Sequence, residues 1–309
     1  LNSVMQLLQT ECAIPFLRSE RMERLDVKSK PLYKRSREWY ERRGALLTGE
    51  LLLVVLLTLV IHAVETLAYA VRLAGIRTGK LAVALSLTGI ILLVSRTSNL
   101  LQGPLTGGLI DSAVLQPGTP LEWQFHLILA GAAAGTLLAI LLFPTMVFIS
   151  MRMVSRLEAA GSIPLLLRQS VSIDKLKRVK NNVRFPRWEM LKRLRVGGIP
   201  KRLLLLNTLV TGIYTVGVLS ALYASYLVPE HSRAASQSSG LINGVATILL
   251  TVFIDPRVAL LTDKTMAGQT SLNEMNRMFG FLMLSRLAGT LLAHLFLAPG
   301  AQLIAWYVS

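Results

Sequence analysis

The stretch LLLVVLLTLVIHAVETLAYAVR, residues 51–72, decides the fold. Its first half is almost wholly Leu and Val, the composition of a helix dissolved in lipid, and the whole is near the ~20 residues that cross a bilayer core. Its polar side chains are not scattered. Thr58, His62, Glu65, Tyr69 and Arg72 recur at spacings of 4, 3, 4 and 3, which puts them on one helical face. An ionisable side chain in hydrocarbon is expensive unless it faces a bundle interior or a wet cavity. The stripe therefore predicts a membrane protein that handles something polar within the bilayer. Glu65 and Arg72 lie two turns apart on that face, so they are expected to share a site.

Composition agrees. Of 309 residues, 52% are hydrophobic and only 16% charged, against roughly 25% charged in soluble domains. The formal net charge is +16, and the excess is concentrated. Residues 1–44 hold ten Lys/Arg against six Asp/Glu, and residues 151–201 hold thirteen against three. Beside long apolar segments, such basic stretches point to the anionic cytoplasmic face of a membrane, so membrane lipids and not nucleic acid are the expected partners. Cys12 is the single cysteine, which excludes an intrachain disulfide and a cysteine metal cluster. His62, His126, His231 and His294 form no HxxxH or HExxH pattern, and the chain has no GxSxG, P-loop or DxxxD motif. No catalytic residue, metal or cofactor is expected. Residues 1–44 also lack the apolar core of a secretory signal.

The fold class that follows is an all-α, polytopic transmembrane bundle. Six strong spans are expected at about 45–70, 79–96, 123–150, 202–228, 237–260 and 279–304. The second is short, with Lys80 and Arg96 placed to snorkel at its two ends. Gly131 and Gly135 give the third a face for close helix contact, and Pro144 should kink it. The positive-inside rule places both basic stretches in the cytoplasm. Three crossings between them would separate them, so residues 98–116, carrying Gly103-Pro104, Gly107-Gly108 and Asp111, are read as a seventh, broken or re-entrant segment. Six crossings satisfy the rule equally if residues 1–44, a polar basic extension, are not native. In both cases residues 45–309 form the membrane domain and 151–201 a cytoplasmic loop. Within that loop, residues 173–183 and 186–196 read as short basic helices; Trp188, Leu191 and Leu194 share one face, which suits either docking to anionic lipid or an ordinary solvated loop.

Further polar faces occur on later spans. Asn207, Thr211 and Tyr214 share one; Asn243, Thr247 and Thr251 another; Arg286, Thr290 and His294 a third. For Ser, Thr and Asn the ordinary role is interhelical hydrogen bonding. The arginines carry more information. A planar, permanently charged fork suits phosphate, so a phosphate or pyrophosphate headgroup is the natural ligand. Arg72, Arg77, Arg96, Arg257 and Arg286 would hold it. Glu65, Asp111, Asp255 and Asp263 would neutralise the arginines when the site is empty, and Tyr69 and Asn99 join the candidate set.

Five blocks carry a family likeness: ETLAYAVRLAGIRT at 65–78, AVALSL at 82–87, LVSRTSNLLQGPL at 93–105, FIDPRVALLTD at 253–263 and SRLAGT at 285–290. They resemble the alternative lipid II flippases of bacteria, the Amj family, over about residues 45–304. Residues 1–44 have no counterpart in that pattern. The resemblance implies a multi-pass protein of the bacterial cell membrane, and no enzyme. Its partner would be lipid II, the undecaprenyl-pyrophosphate-linked peptidoglycan precursor, moved from the inner to the outer leaflet. The glycine-rich stretch at 103–108 would be where alternate packings yield. Two other classes fit the same residues: a membrane-embedded phosphatase of polyprenyl phosphates using His62 or His294, and a proton- or sodium-coupled small-molecule transporter using Glu65.

Overall fold

The structure, a computed structural model, describes residues 30–116, 119–160 and 199–309. The expected amphipathic helices at 173–183 and 186–196 lie outside the described residues. The chain divides into two compact units, Leu1–Thr48 and Gly49–Ser309. In the first, residues 30–48 are helical.

Every element among the described residues is helical. Helix α1 is Lys30–Thr78, α2 Leu81–Leu115, α3 Leu121–Ala160 and α4 Lys201–Leu227. A 3₁₀ turn at Pro229–His231, α5 (Ser232–Gln237), α6 (Ser239–Leu249), a π-helical turn (Leu250–Ile254) and α7 (Asp255–Met266) follow one another. Helix α8, Leu272–Val308, closes the unit. Six helical stretches among the described residues are long and apolar enough to span a bilayer: Gly49–Thr78, Leu81–Leu115, Leu121–Leu157, Lys201–Leu227, Pro229–Met266 and Leu272–Val308. They alternate in direction. The 79–80 turn, the end of α3, the start of α4 and the 267–271 turn therefore share one end of the bundle, called the loop end below.

The two tight turns at the loop end are built alike. Gly79 and Gly268 have φ of 72° and 73°, a left-handed conformation that glycine adopts without strain. Lys80 N–H donates to Gly75 (2.9 Å) and Gly79 N–H to Ile76 (3.3 Å), and Gln269 and Gly268 repeat the pattern on Lys264 (2.9 Å) and Thr265 (3.2 Å). This pair of bonds satisfies the last carbonyls of the helix, and the chain reverses within two residues at Gly79-Lys80 and five at 267–271. Ser271 then caps α8 by accepting from the Glu274 N–H at 3.3 Å.

Small residues set the helix spacing. A methyl at Gly131 would sit 2.8 Å from the Val55 carbonyl oxygen, and one at Gly135 would collide with the Leu59 backbone, so α1 and α3 touch along the expected glycine face. Gly289 meets the Thr208 carbonyl in the same way, joining α8 to α4. Asn207 donates to the Leu282 carbonyl (3.0 Å) and to Ser285 Oγ (2.7 Å), and Thr208 donates to the Ser285 carbonyl (3.1 Å). These are the interhelical bonds expected of such residues in lipid. An apolar core of Leu73, Ile76, Val147, Ile254, Phe279 and Leu282, among others, lies toward the loop end.

The seventh segment does not exist as such. Residues 98–115 continue α2, a helix of 35 residues with Pro104 inside it. Water would offer partners to a backbone broken at Gly103-Pro104; hydrocarbon offers none, so keeping the helix loses least. Thr106 and Ser112 hydroxyls donate to the carbonyls four residues earlier, at 2.9 and 2.8 Å. At 1.5 Å per residue α2 is about 50 Å long, well beyond the ~30 Å core. Arg96 is therefore near its middle, not at its end, and the second span is not short.

Candidate functional site

The stripe on α1 meets α8 and α2 at mid-span. The Glu65 carboxylate is ion-paired with the Arg286 guanidinium, one Oε2 to one terminal nitrogen. Its other oxygen accepts from Ser95 Oγ at 3.0 Å. One further bond joins α2 to the stripe, Gln102 Nε2 to Thr58 Oγ1 at 3.0 Å. The Glu65 and Arg286 side chains are 16% and 13% exposed, so the pair is shielded but not sealed. Pairing within a low-dielectric bundle is what lets both charges persist there.

Around the pair sit three polar groups. His62, one turn before Glu65, is 5% exposed, and its Nδ1 has no hydrogen-bond partner among the described residues. Tyr69, one turn after, leans on Phe279 with ring centroids 5.5 Å apart and lies within electrostatic reach of Arg286. Tyr214 on α4 feels Glu65, Arg286 and Arg96 together and is 37% exposed. Arg96 follows Ser95, so it is at the depth of the pair. Its side chain is exposed, and it makes no ion pair with a described residue. An arginine exposed at mid-span needs a wet or polar cleft beside it.

The ten expected residues thus separate. Glu65, Tyr69, Arg96 and Arg286 come together, joined by Ser95 and Tyr214, which sequence reasoning left out of the set. Ser95 carried a signal, since it opens the polar run SRTSN inside an apolar helix. Glu65 pairs with Arg286 rather than with Arg72. Two turns put Arg72 about 10 Å along the axis, whereas α8 passes alongside. Arg72 keeps a buried Nε that has no described partner. Asn99 is exposed one turn beyond Arg96. Arg77 lies at the loop end and donates to Asn276 Oδ1 at 3.0 Å. Asp255, Arg257 and Asp263 sit on α7, also toward the loop end. The polar stripe expected on the fifth span divides: Asn243 packs against Gly217 of α4, whereas Thr247 and Thr251 are exposed.

Nor did the sequence show that two histidines meet. His126 on α3 and His294 on α8 stack with centroids 5.1 Å apart and planes at 8°, their Nδ1 atoms 2.9 Å apart. The contact is two turns beyond Arg286, toward the end opposite the loop.

Taken together, the molecule is a multi-pass α-helical membrane protein with a charged, hydrogen-bonded site inside the bilayer, the architecture of a translocator. Comparison with known proteins narrows the class. The family model described as "Amj: Alternate to MurJ" matches residues 57–308. "Lipid II flippase Amj" of Bacillus subtilis (strain 168) is 42% identical over 261 residues, covering 84% of this chain and 97% of that protein. No solved structure matches. The chain belongs to the Amj family.

Proposed function

We propose that this protein moves lipid II across the bacterial cell membrane from the cytoplasmic to the outer leaflet, with no covalent chemistry. The observation that carries the reading is the exposed Arg96 beside the neutralised Glu65–Arg286 pair at mid-membrane. The undecaprenyl chain stays in hydrocarbon while the headgroup passes along the cleft. Within the bilayer core Arg96 meets the pyrophosphate before Arg286 does. The pyrophosphate then competes with Glu65 for Arg286, and Glu65 recaptures Arg286 as the headgroup leaves. Tyr69 and Tyr214 line the passage.

The direction rests on charge. Within Gly49–Ser309 the loop end carries Arg77, Lys80, Arg152, Arg156, Lys201, Arg202, Arg257, Lys264 and Arg277 against Glu158, Asp255, Asp263 and Glu274, while the opposite end carries Arg233 against Glu50, Asp111, Glu122 and Glu230. By the positive-inside rule the loop end is cytoplasmic, the side expected for the basic stretch 151–201.

The test is complementation. In a host depleted of its other flippase, the wild type should restore cleavage of lipid II by an externally added toxin, and Arg96→Ala should not. Full rescue by Arg96→Ala would overturn the assignment. Release of inorganic phosphate from undecaprenyl pyrophosphate by purified protein would favour the phosphatase reading instead.

A further inference from the structure

A second cationic region lies apart from the mid-membrane pair. At the loop end a cavity of about 300 Å³ opens between the start of α4, α7 and the first turns of α8. Arg257, Lys264 and Arg277 line it against a single acid, Glu274, and Leu203, Leu260, Leu261 and Met278 form its apolar wall. On α7, residues 257, 260 and 264 follow the 3- and 4-residue spacing of one helical face, so cation, leucine and cation alternate along it. Leu260 is 62% exposed, and Arg257 is exposed beside it. The cavity therefore has a basic interior and an apolar flank open to the side of the bundle.

Its depth is informative. Arg277 is nine residues before Arg286 on one helix, about 13 Å along the axis, or nearly half the ~30 Å hydrocarbon core. That puts the cavity at headgroup level in the loop-end leaflet. A lipid standing in that leaflet presents its phosphate at this height and its chain toward the exposed leucine.

We propose that this cavity is the loading site for a polyprenyl pyrophosphate lipid, distinct from the mid-membrane pair. Arg257 and Lys264 hold the pyrophosphate, Arg277 closes the third side, and the first prenyl units lie along Leu260 and Leu261. The sugar-peptide headgroup, too large for this volume, stays in the cytoplasmic water until the pyrophosphate is handed toward Arg96. The identity of the lipid rests on the function proposed above; an amphiphile with a phosphate head is what the lining selects.

The test separates binding from movement. Full-length protein in nanodiscs is titrated with undecaprenyl pyrophosphate, with inorganic pyrophosphate and phosphatidylglycerol as competitors. Arg257→Gln/Lys264→Gln should weaken binding about tenfold or more. Arg233→Gln, an exposed arginine at the opposite end, should leave it unchanged and so control for net charge. Equal binding by the double variant overturns the proposal. So does competition by phosphatidylglycerol as effective as self-competition, which would mark a general anionic-lipid surface. Inorganic pyrophosphate binding as tightly as the lipid also overturns it, because the apolar wall would then contribute nothing. If the double variant fails to fold, Leu260→Gln, which leaves all three cations, should weaken the lipid but not inorganic pyrophosphate. If wild type fails the toxin assay yet binds the lipid through Arg257 and Lys264, the loading site stands and the flippase reading falls.

Discussion

At mid-membrane Arg286 is matched by Glu65 and steadied by Ser95, whereas at the loop end Arg257, Lys264 and Arg277 share a cavity with Glu274 alone. The difference follows from depth. Near headgroup level, water and lipid phosphate screen surplus cations, so an excess of positive charge costs little there. In the hydrocarbon layer an unmatched guanidinium is costly, so the resting protein supplies its own anion. A pyrophosphate arriving there must displace the Glu65 carboxylate from Arg286. On the proposals above, the first region exchanges its anion and the second collects one.

The largest effect that would break this comparison comes from removing one half of the pair. Arg286→Ala leaves Glu65 shielded and uncompensated, and should lower stability by about 3–5 kcal/mol, read as a fall in Tm in detergent, with rescue lost. The neutral double variant Glu65→Gln/Arg286→Gln should recover most of that stability without recovering transport. If it transports, exchange of anions at Arg286 is not the mechanism.

Next in size is Arg96→Ala. Since Arg96 is exposed and has no ion pair with a described residue, its loss should leave Tm unchanged. Transport should fall roughly tenfold to a hundredfold, the worth of a charge-assisted contact to the ligand. A matching fall in Tm would show that Arg96 is structural. Smaller again is Ser95→Ala, which removes one hydrogen bond to a carboxylate worth about 1.5 kcal/mol. It should loosen the pair and slow transport by about tenfold at most. Unchanged transport would place Ser95 among ordinary helix contacts.

Much of this was legible in the chain. The spacing of Thr58, His62, Glu65, Tyr69 and Arg72 fixed which face of α1 turns inward, because periodicity is local. The partner of Glu65 was not legible: Arg286 is 221 residues away, and only the packing of α8 beside α1 brings it near. Arg72 was the nearer arginine in sequence, and helix rise placed it too far along. The loop-end cavity was half visible, since Arg257 stood out, but Lys264, Glu274 and Arg277 joined it only through the turn at Gly268. The boundary of α2 was misplaced for a different reason. Arg96, Asn99 and Gly103-Pro104 are stop signals for a helix in water, and lipid removes the alternative they point to.

That last point can be tested with the smallest expected effect. A methyl added at Gly103 or Gly107 would meet nothing within 4 Å, and both glycines lie in the continuous helix Leu81–Leu115. Glycine inside a helix is worse than alanine by about 0.5–1 kcal/mol. Gly103→Ala and Gly107→Ala should therefore each raise stability by about that amount and leave transport alone. A stretch that must bend for the site to open would respond the other way, gaining stability while losing transport, because the substitution would favour the straight form. The two regions compared above would then be coupled by motion of α2, since Arg96 rides on the same helix seven residues before Gly103. Unchanged transport would instead make α2 a rigid wall, with the exchange at Arg286 carried by α8 and the fifth span.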